Sequence, residues 1–148
     1  MKILIINGPN LNKLGKRSPE IYGPKSLNEI QSDLDKLSKN LGVELEFYQS
    51  NTEGSIVDFI QSNSSKAHGL IINPGALTHY GLSLADALMD LQIPIVEVHL
   101  SNIYKREEWR KKSVVAPTSI GQISGLGAMG YSFALQFLCE YIKSGGPS

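Results

Sequence analysis

Two groups of residues in this chain have types and spacing that suit acid–base chemistry. The first lies in the segment NGPNLNKLGKRSPEIYG, from Asn7 to Gly23, which carries Asn10, Arg17 and Tyr22. A phenol is mostly protonated at neutral pH and needs nearby positive charge to act as a base, so Tyr22 and Arg17 form a candidate pair. The alternative is an ordinary surface loop that happens to carry both residues.

The second group is Glu97 and His99, which stand two positions apart in the run VEVH. On a strand, residues two apart point to the same face. A carboxylate beside an imidazole fixes its tautomer and favours the imidazolium form, which suits a general acid. A core histidine with satisfied hydrogen bonds is the alternative.

More polar residues follow apolar runs that read as strands. Asn73 and His79 come after Leu70–Ile72, and Ser101 and Asn102 come soon after His99. A helix beginning near Ser101 would offer free backbone N–H groups to a carboxylate.

Arg106 and Arg110 are four apart in a segment, residues 103–112, that we predict to be helical, so they share a face. That face either looks into the site and binds an anion, or is simply solvated. Asp86 reads most simply as an exposed helix residue.

The elements that must position these residues alternate along the chain. The sequence predicts strands at residues 3–6, 43–48, 70–72, 93–98 and 120–124, and helices over 26–41, from 55, over 82–91, 103–112 and 129–143. Alternating strands and helices predict one α/β domain over residues 1–148, with a parallel sheet covered on both faces. Ligands bind outside the carboxyl ends of such strands. The long segment before Gly23 is expected to be an active-site loop without secondary structure, and residues 144–148 a frayed tail.

Composition excludes several classes of partner. Lysine and arginine number 14, as do aspartate and glutamate, and no block of like charge indicates nucleic acid or an acidic membrane surface. The single cysteine, Cys139, fits a reducing compartment. The opening apolar run is too short for a signal peptide, and no segment approaches the ~20 apolar residues of a membrane span. We expect a soluble cytoplasmic protein.

Two other classes of function have a basis in the sequence. Gly125–Gly130 matches the dinucleotide fingerprint GxGxxG, which would make the chain a nucleotide-binding module. Too few residues follow it for a dinucleotide-binding half, so close packing of the last helix explains the glycines better. His79, His99 and Glu97 match a two-histidine, one-carboxylate metal site of a hydrolase, which would leave Tyr22 and Arg17 without a role.

Four motifs in order carry a resemblance to a known family. NGPNLNKLGKRSPEIYG, INPGALTH, VEVHLSN with REEWR, and ISGLGAMGY together resemble type II 3-dehydroquinate dehydratase, from Ile3 to about Tyr141. The chain departs from the usual family residue at Ser18, Gly81, Ala85 and Trp109.

The resemblance implies a flavodoxin-like fold with strand order 2-1-3-4-5, usually assembled as a dodecamer of trimers. It implies conversion of 3-dehydroquinate to 3-dehydroshikimate in the shikimate pathway, by anti elimination through an enolate. No cofactor, metal or Schiff base is expected.

The resemblance also implies residue roles. Tyr22, as tyrosinate, would abstract the proton, with Arg17 and Arg106 favouring its anion and Asn10 stabilising the enolate. Residues 17–23 would act as a lid.

His99, oriented by Glu97, would protonate the departing hydroxyl. The substrate-binding residues would be Asn73, His79, Leu100, Ser101, Arg110 and, from a neighbouring subunit, Asp86.

Overall fold

Five segments form one parallel sheet in the computed structural model, which describes residues 1–146. The strands are β1 (Lys2–Asn7), β2 (Glu44–Gln49), β3 (Gly69–Asn73), β4 (Ile95–His99) and β5 (Gly121–Ser124). They lie in the order β2-β1-β3-β4-β5, and all four neighbouring pairs are parallel. The expected flavodoxin-like order is confirmed.

The helices follow the strands along the chain. They are α1 (Pro19–Tyr22), α2 (Leu27–Leu41), α3 (Glu53–Asn63), α4 (Leu82–Met89) and α5 (Met129–Lys143). The capping box predicted for α2 is present, because the Glu29 N–H donates to Ser26 Oγ at 3.2 Å and the Ser26 N–H donates to Glu29 Oε2 at 2.7 Å. Gly42, with φ 69°, ends that helix as predicted.

Helices cover both faces of the sheet, giving two apolar cores. Ile3 and Ile5 of β1 pack with α2 and α5, whereas Leu4 and Ile6 pack with α3 and α4. This alternation is the period of two of a strand buried on both sides. Consecutive residues of β1 therefore anchor the two helical layers.

The last helix lies close to the sheet at Gly130. A Cβ there would stand 3.3 Å from Ile123 Cγ2 and 3.4 Å from Val98 Cγ1. These distances leave little room for a side chain, so the packing interpretation of the GLGAMG glycines is confirmed at this position.

The predicted helix over residues 103–112 is wrong. The structure has two 3₁₀ turns, Ile103–Lys105 and Glu108–Arg110, with Arg106 extended between them at φ −106° and ψ −158°. Only Ile103 of the two turns is buried, so the segment lacks the apolar face that would hold a helix in place.

Three smaller expectations also need correction. Helix α3 begins at Glu53 rather than Ser55, and the Glu53 carboxylate accepts the Leu84 N–H at the start of α4 (3.0 Å). The segment before Gly23 is not devoid of structure, since it holds a 3₁₀ turn at Leu11–Lys13 and helix α1. In the predicted frayed tail, residues 144–146 form backbone hydrogen bonds to the end of α5, and residues 147–148 lie outside the described residues.

Within residues 1–146 we find no helix of the length and hydropathy that a membrane span requires.

Candidate active site

The carboxyl ends of β1, β3 and β4 open into one pocket. Ten of the twelve predicted site residues line it: Asn10, Arg17, Tyr22, Asn73, His79, His99, Leu100, Ser101, Arg106 and Arg110. The two exceptions are Glu97, which is fully buried, and Asp86, which is exposed on α4. The sequence prediction that strand ends gather these side chains at one edge of the sheet is confirmed.

Tyr22 lies between two guanidinium groups. It is the last residue of α1, which begins at Pro19 and is followed by Gly23, where φ is 88°. Arg106 Nη1 donates a hydrogen bond to Tyr22 Oη at 3.0 Å. The Cζ atoms of Arg106 and Arg17 stand 5.1 and 5.6 Å from the centroid of the Tyr22 ring. Two positive charges therefore lie beside one phenol ring, within the range of cation–π contacts.

The segment that leads to Tyr22 contains two residues with strained backbone. Asn10 (φ 69°) and Ser18 (φ 41°) adopt the left-handed conformation, and they are the non-glycine residues within 1–146 that have positive φ. Asparagine tolerates this conformation, whereas it costs serine free energy. The Asn10 N–H donates to Asn51 Oδ1 at 2.9 Å, which holds the strained turn. Such strain gathers at functional sites.

His99 lines the pocket and is bonded to the buried Glu97. Their side chains meet as predicted, with His99 Nε2 at 2.7 Å from Glu97 Oε1. Burial raises the pKa of Glu97, but hydrogen bonds from His99, Thr78 and Gln122 outweigh it and hold that pKa below its ordinary value of 4.5. An ionised carboxylate only accepts hydrogen bonds, so His99 Nε2 carries a proton. Nδ1 is the ring nitrogen that is not bonded to Glu97.

His79 has the opposite electrostatic environment. Its Nδ1 lies 2.7 Å from the Lys112 carbonyl oxygen, which can only accept, so Nδ1 carries a proton. Burial lowers the pKa of His79, and the hydrogen bond to Lys112 offsets this only in part. A neutral His79 leaves Nε2 as a hydrogen-bond acceptor. The Trp109 ring packs edge-on against His79 at 5.2 Å between centroids, and Arg110 Cζ lies 4.1 Å from the Trp109 centroid.

Sequence reasoning missed the buried groups that hold Asn73. Asn73 Nδ2 donates to Tyr131 Oη at 2.9 Å, and the Tyr131 hydroxyl donates to Asn7 Oδ1 at 2.5 Å. The Gly75 N–H donates to Asn73 Oδ1 at 3.1 Å. Burial raises the pKa of Tyr131, so it stays a neutral donor. Tyr131 lies within the ISGLGAMGY motif, and its need for a buried partner was the available signal.

Three positions singled out in the sequence lie outside this pocket. Gly81 directly precedes α4, and Ala85 and Asp86 lie within that helix. A Cβ on Gly81 would come within 2.7 Å of the Leu77 carbonyl oxygen, so glycine fits this close approach. The role expected of Asp86 belongs to a neighbouring subunit's site and stays a prediction.

The two-histidine metal site is not assembled. Among residues 1–146, no group of three or more His, Cys, Asp or Glu side chains is placed to hold a metal ion. Both oxygens of Glu97 accept hydrogen bonds from protein side chains, so this carboxylate is not open to a metal.

Comparisons with known proteins identify a family to which the chain is similar. A family model described as dehydroquinase class II matches residues 1–139. A 3-dehydroquinate dehydratase from Halothermothrix orenii is 51% identical over 144 residues, covering 97% of both chains. One from Roseiflexus castenholzii is 56% identical over 138 residues, covering 93% of this chain and 88% of that one.

Solved structures show the same fold over nearly the whole chain. The crystal structure of type II dehydroquinase from Butyrivibrio crossotus superposes with a TM-score of 0.91 and 46% identity, over 93% of this chain and 97% of that one. That of type II dehydroquinase from Propionibacterium acnes gives 0.91 and 40%, over 94% and 96%.

Proposed function

The chain belongs to the dehydroquinase class II family of hydro-lyases, which dehydrate 3-dehydroquinate in the shikimate pathway, and we propose that it does so with Tyr22 as base and His99 as acid. The observation that carries the proposal is the placement of Tyr22, held by Arg106 at 3.0 Å, in one pocket with His99, held by Glu97 at 2.7 Å. The product is 3-dehydroshikimate.

The base must remove a proton from carbon next to a ketone. That proton is weakly acidic, so the step needs a strong base and a stabilised oxyanion. Tyr22, as tyrosinate, takes the proton, and the electron pair moves to the ketone oxygen to form an enolate. Asn10, on the pocket wall, stabilises this enolate. Arg17 and Arg106 are the base-activating residues, since their guanidinium groups lie beside the Tyr22 ring.

The acid completes the elimination. As the enolate collapses, the carbon–oxygen bond to the leaving hydroxyl breaks and a double bond conjugated with the ketone forms. His99 gives its proton to the hydroxyl, which leaves as water. Both steps proceed without an imine, because no lysine lines the pocket formed by residues 1–146.

The remaining lining residues bind the substrate. The neutral His79 accepts from a ring hydroxyl through Nε2, and Asn73 donates through its second amide hydrogen. Ser101, Arg110 and the backbone at Leu100 complete the wall of the pocket. Ser101 and the N–H groups beside it bind the carboxylate of the substrate. Asp86 acts in the site of an adjacent subunit, in a homododecamer that works in the cytoplasm.

Residues 17–23 form a lid. Helix α1 has no buried residue, so few contacts oppose its movement. Closure brings Arg17 and Tyr22 onto the substrate and excludes water.

The test is to mix the purified protein with 3-dehydroquinate and follow the ultraviolet absorbance of the conjugated enone product. We expect turnover that persists after treatment with borohydride in the presence of substrate. Loss of activity with borohydride would contradict the enolate mechanism, because it would reveal an imine. Full activity after exhaustive chelation would eliminate the metal-dependent hydrolase. Nucleotide affinity without turnover would favour the nucleotide-binding module instead.

A further inference from the structure

Glu97 is surrounded by hydrogen-bond donors to which the mechanism above gives no role. We propose that Thr78, Ser113 and Gln122 are positioning residues, which keep Glu97 ionised and fixed so that His99 stays aligned and protonated for the acid step. We call these three residues the donor cage. This inference rests on the proposed function and deepens it.

The cage reaches both oxygens of a carboxylate that is 0% exposed. Ser113 Oγ lies 2.9 Å from Glu97 Oε1 and 3.1 Å from Oε2, and Gln122 Nε2 donates to Oε2 at 2.8 Å. The Thr78 hydroxyl donates to Oε1, which also receives the His99 proton. A buried carboxylate with this many partners has almost no freedom to rotate.

The direction of the Ser113 hydrogen bond follows from counting protons. Ser113 Oγ accepts the N–H groups of Val115 at 3.1 Å and Ala116 at 2.8 Å. These bonds occupy both lone pairs of the hydroxyl, so Ser113 meets its remaining neighbours only as a donor. Those neighbours are the two oxygens of Glu97 and the Thr78 hydroxyl at 2.9 Å, and the Thr78 hydroxyl directs its own proton at Glu97. Ser113 can therefore donate to the carboxylate and cannot accept from it.

The orientation of Gln122 is fixed by a separate contact. The Tyr104 hydroxyl donates to Gln122 Oε1 at 3.2 Å, which leaves the amide nitrogen directed at Glu97. Gln122 on β5 is also the register partner of Glu97 on β4, so the two side chains share a face of the sheet.

An environment rich in donors opposes protonation of Glu97. A protonated carboxyl needs an acceptor for its own hydrogen, and Ser113 and Gln122 present only donors to it. The lowered pKa of Glu97 agrees with this arrangement. Since an ionised Glu97 accepts the Nε2 proton of His99, weakening the cage should impair the acid step.

No member of the donor cage lines the substrate pocket formed by residues 1–146. The cage therefore acts through Glu97 and His99, and its loss should change kcat more than KM. A residue with a purely structural role would instead lower the amount of folded enzyme and leave the pH profile unchanged.

The test is Thr78→Val, which removes one donor and keeps the side-chain shape. We expect kcat to fall about tenfold or more, because a hydrogen bond to a charged group is lost, while KM stays within about twofold. The low-pH limb of kcat should move to higher pH, because Glu97 with fewer donors binds a proton more readily. Thr78→Ser should restore most of kcat. Thr118→Val is the matched control, since the Thr118 hydroxyl donates to the Val115 carbonyl instead of Glu97.

The outcomes separate the two proposals. If the wild type and Thr118→Val do not turn over 3-dehydroquinate, the proposed function fails. If they do, and Thr78→Val keeps the wild-type kcat and pH profile, the positioning role is overturned. If Thr78→Val does not fold, the same measurements are made on Gln122→Met, a variant of the edge strand β5. An unchanged kcat and pH profile in that variant would overturn the inference.

Discussion

At the scale of single residues, the pocket and its surroundings place side chains of the same type in different electrostatic environments. Tyr22 lies beside two guanidinium groups, whereas Tyr131 is fully buried and stays a neutral donor to Asn7. His99 is bonded to a carboxylate, but His79 is bonded to a carbonyl. These differences in environment support the separate roles that we propose for the two histidines and for Tyr22.

Tyr22→Phe tests the base directly. Turnover should fall by at least about 10²-fold, because the variant loses its proton acceptor and leaves the pocket otherwise intact. Binding of 3-dehydroquinate should persist, followed by the emission of Trp109, the single tryptophan, which packs against His79. Circular dichroism checks the fold, and Tyr48→Phe is the control, since Tyr48 stacks on Phe59 away from the pocket. A near-normal rate in Tyr22→Phe would remove Tyr22 as the base.

The sequence could predict the lining residues but not the donor cage. Tyr22, His99 and their neighbours occur in short motifs directly after strands, so local spacing places them. Thr78, Ser113 and Gln122 are 19, 16 and 25 positions from Glu97. Nothing local distinguishes these three from other polar residues, and only the folded chain brings them to one carboxylate.

At the scale of elements, the loops after β1 and β3 cross almost in contact. The Gly8 N–H donates to the Asn73 carbonyl at 2.8 Å, and a Cβ on Gly8 would stand 2.2 Å from the Pro74 carbonyl oxygen. This crossing lies where the strand order reverses between β1 and β3. It sets the distance between Asn10 and Asn73 on the pocket wall.

Gly8→Ala should therefore disturb both stability and activity. Separating two backbones costs about 1–3 kcal/mol of the free energy of unfolding, measured by urea denaturation, and kcat should fall as the loops part. Gly54→Ala is the matched control, because nothing lies within 4 Å of a Cβ at Gly54 in α3. That variant should be neutral or stabilised by up to about 1 kcal/mol. Equal stability of the two variants would show that the crossing tolerates a side chain.

The elements themselves were predictable where an apolar pattern marked them. The boundaries of α2 agree with the prediction because capping residues and apolar spacing coincide there, and those of α5 agree on apolar spacing alone. The helix predicted over residues 103–112 is absent because intrinsic helix propensity is a weak preference that tertiary contacts override. Arg106 makes such contacts, with Tyr22 and Ser101. Arg106 and Arg110 both line the pocket, although they do not share a helix face.

At the scale of the whole molecule, Glu97 links the site to acid stability. Its carboxylate joins β4 to β5 and to the residues after β3 and before β5. Because the pKa of Glu97 is lower in the folded chain than its ordinary value of 4.5, its ionised form stabilises the fold above that pH. This contribution is lost as the pH falls through the lowered pKa.

The urea midpoint of the wild type should thus fall more steeply between pH 6 and pH 3 than that of Glu97→Gln, which cannot ionise. Measurements at one protein concentration keep any change in assembly constant. Glu20→Gln, on the exposed helix α1, should follow the wild type. Parallel curves for wild type and Glu97→Gln would mean that Glu97 does not couple pH to folding.

The two edge strands of the sheet affect how readily the protein aggregates. A parallel sheet that does not close leaves backbone groups unpaired along β2 and β5, which invites pairing between molecules. The β2 edge carries Glu44 and Glu46 on one face, both within salt-bridge distance of Lys2 on β1. A second copy aligned along β2 would bring its own carboxylates against these, and β5 offers only four residues. The sheet is thereby protected at both margins against growing into an aggregate.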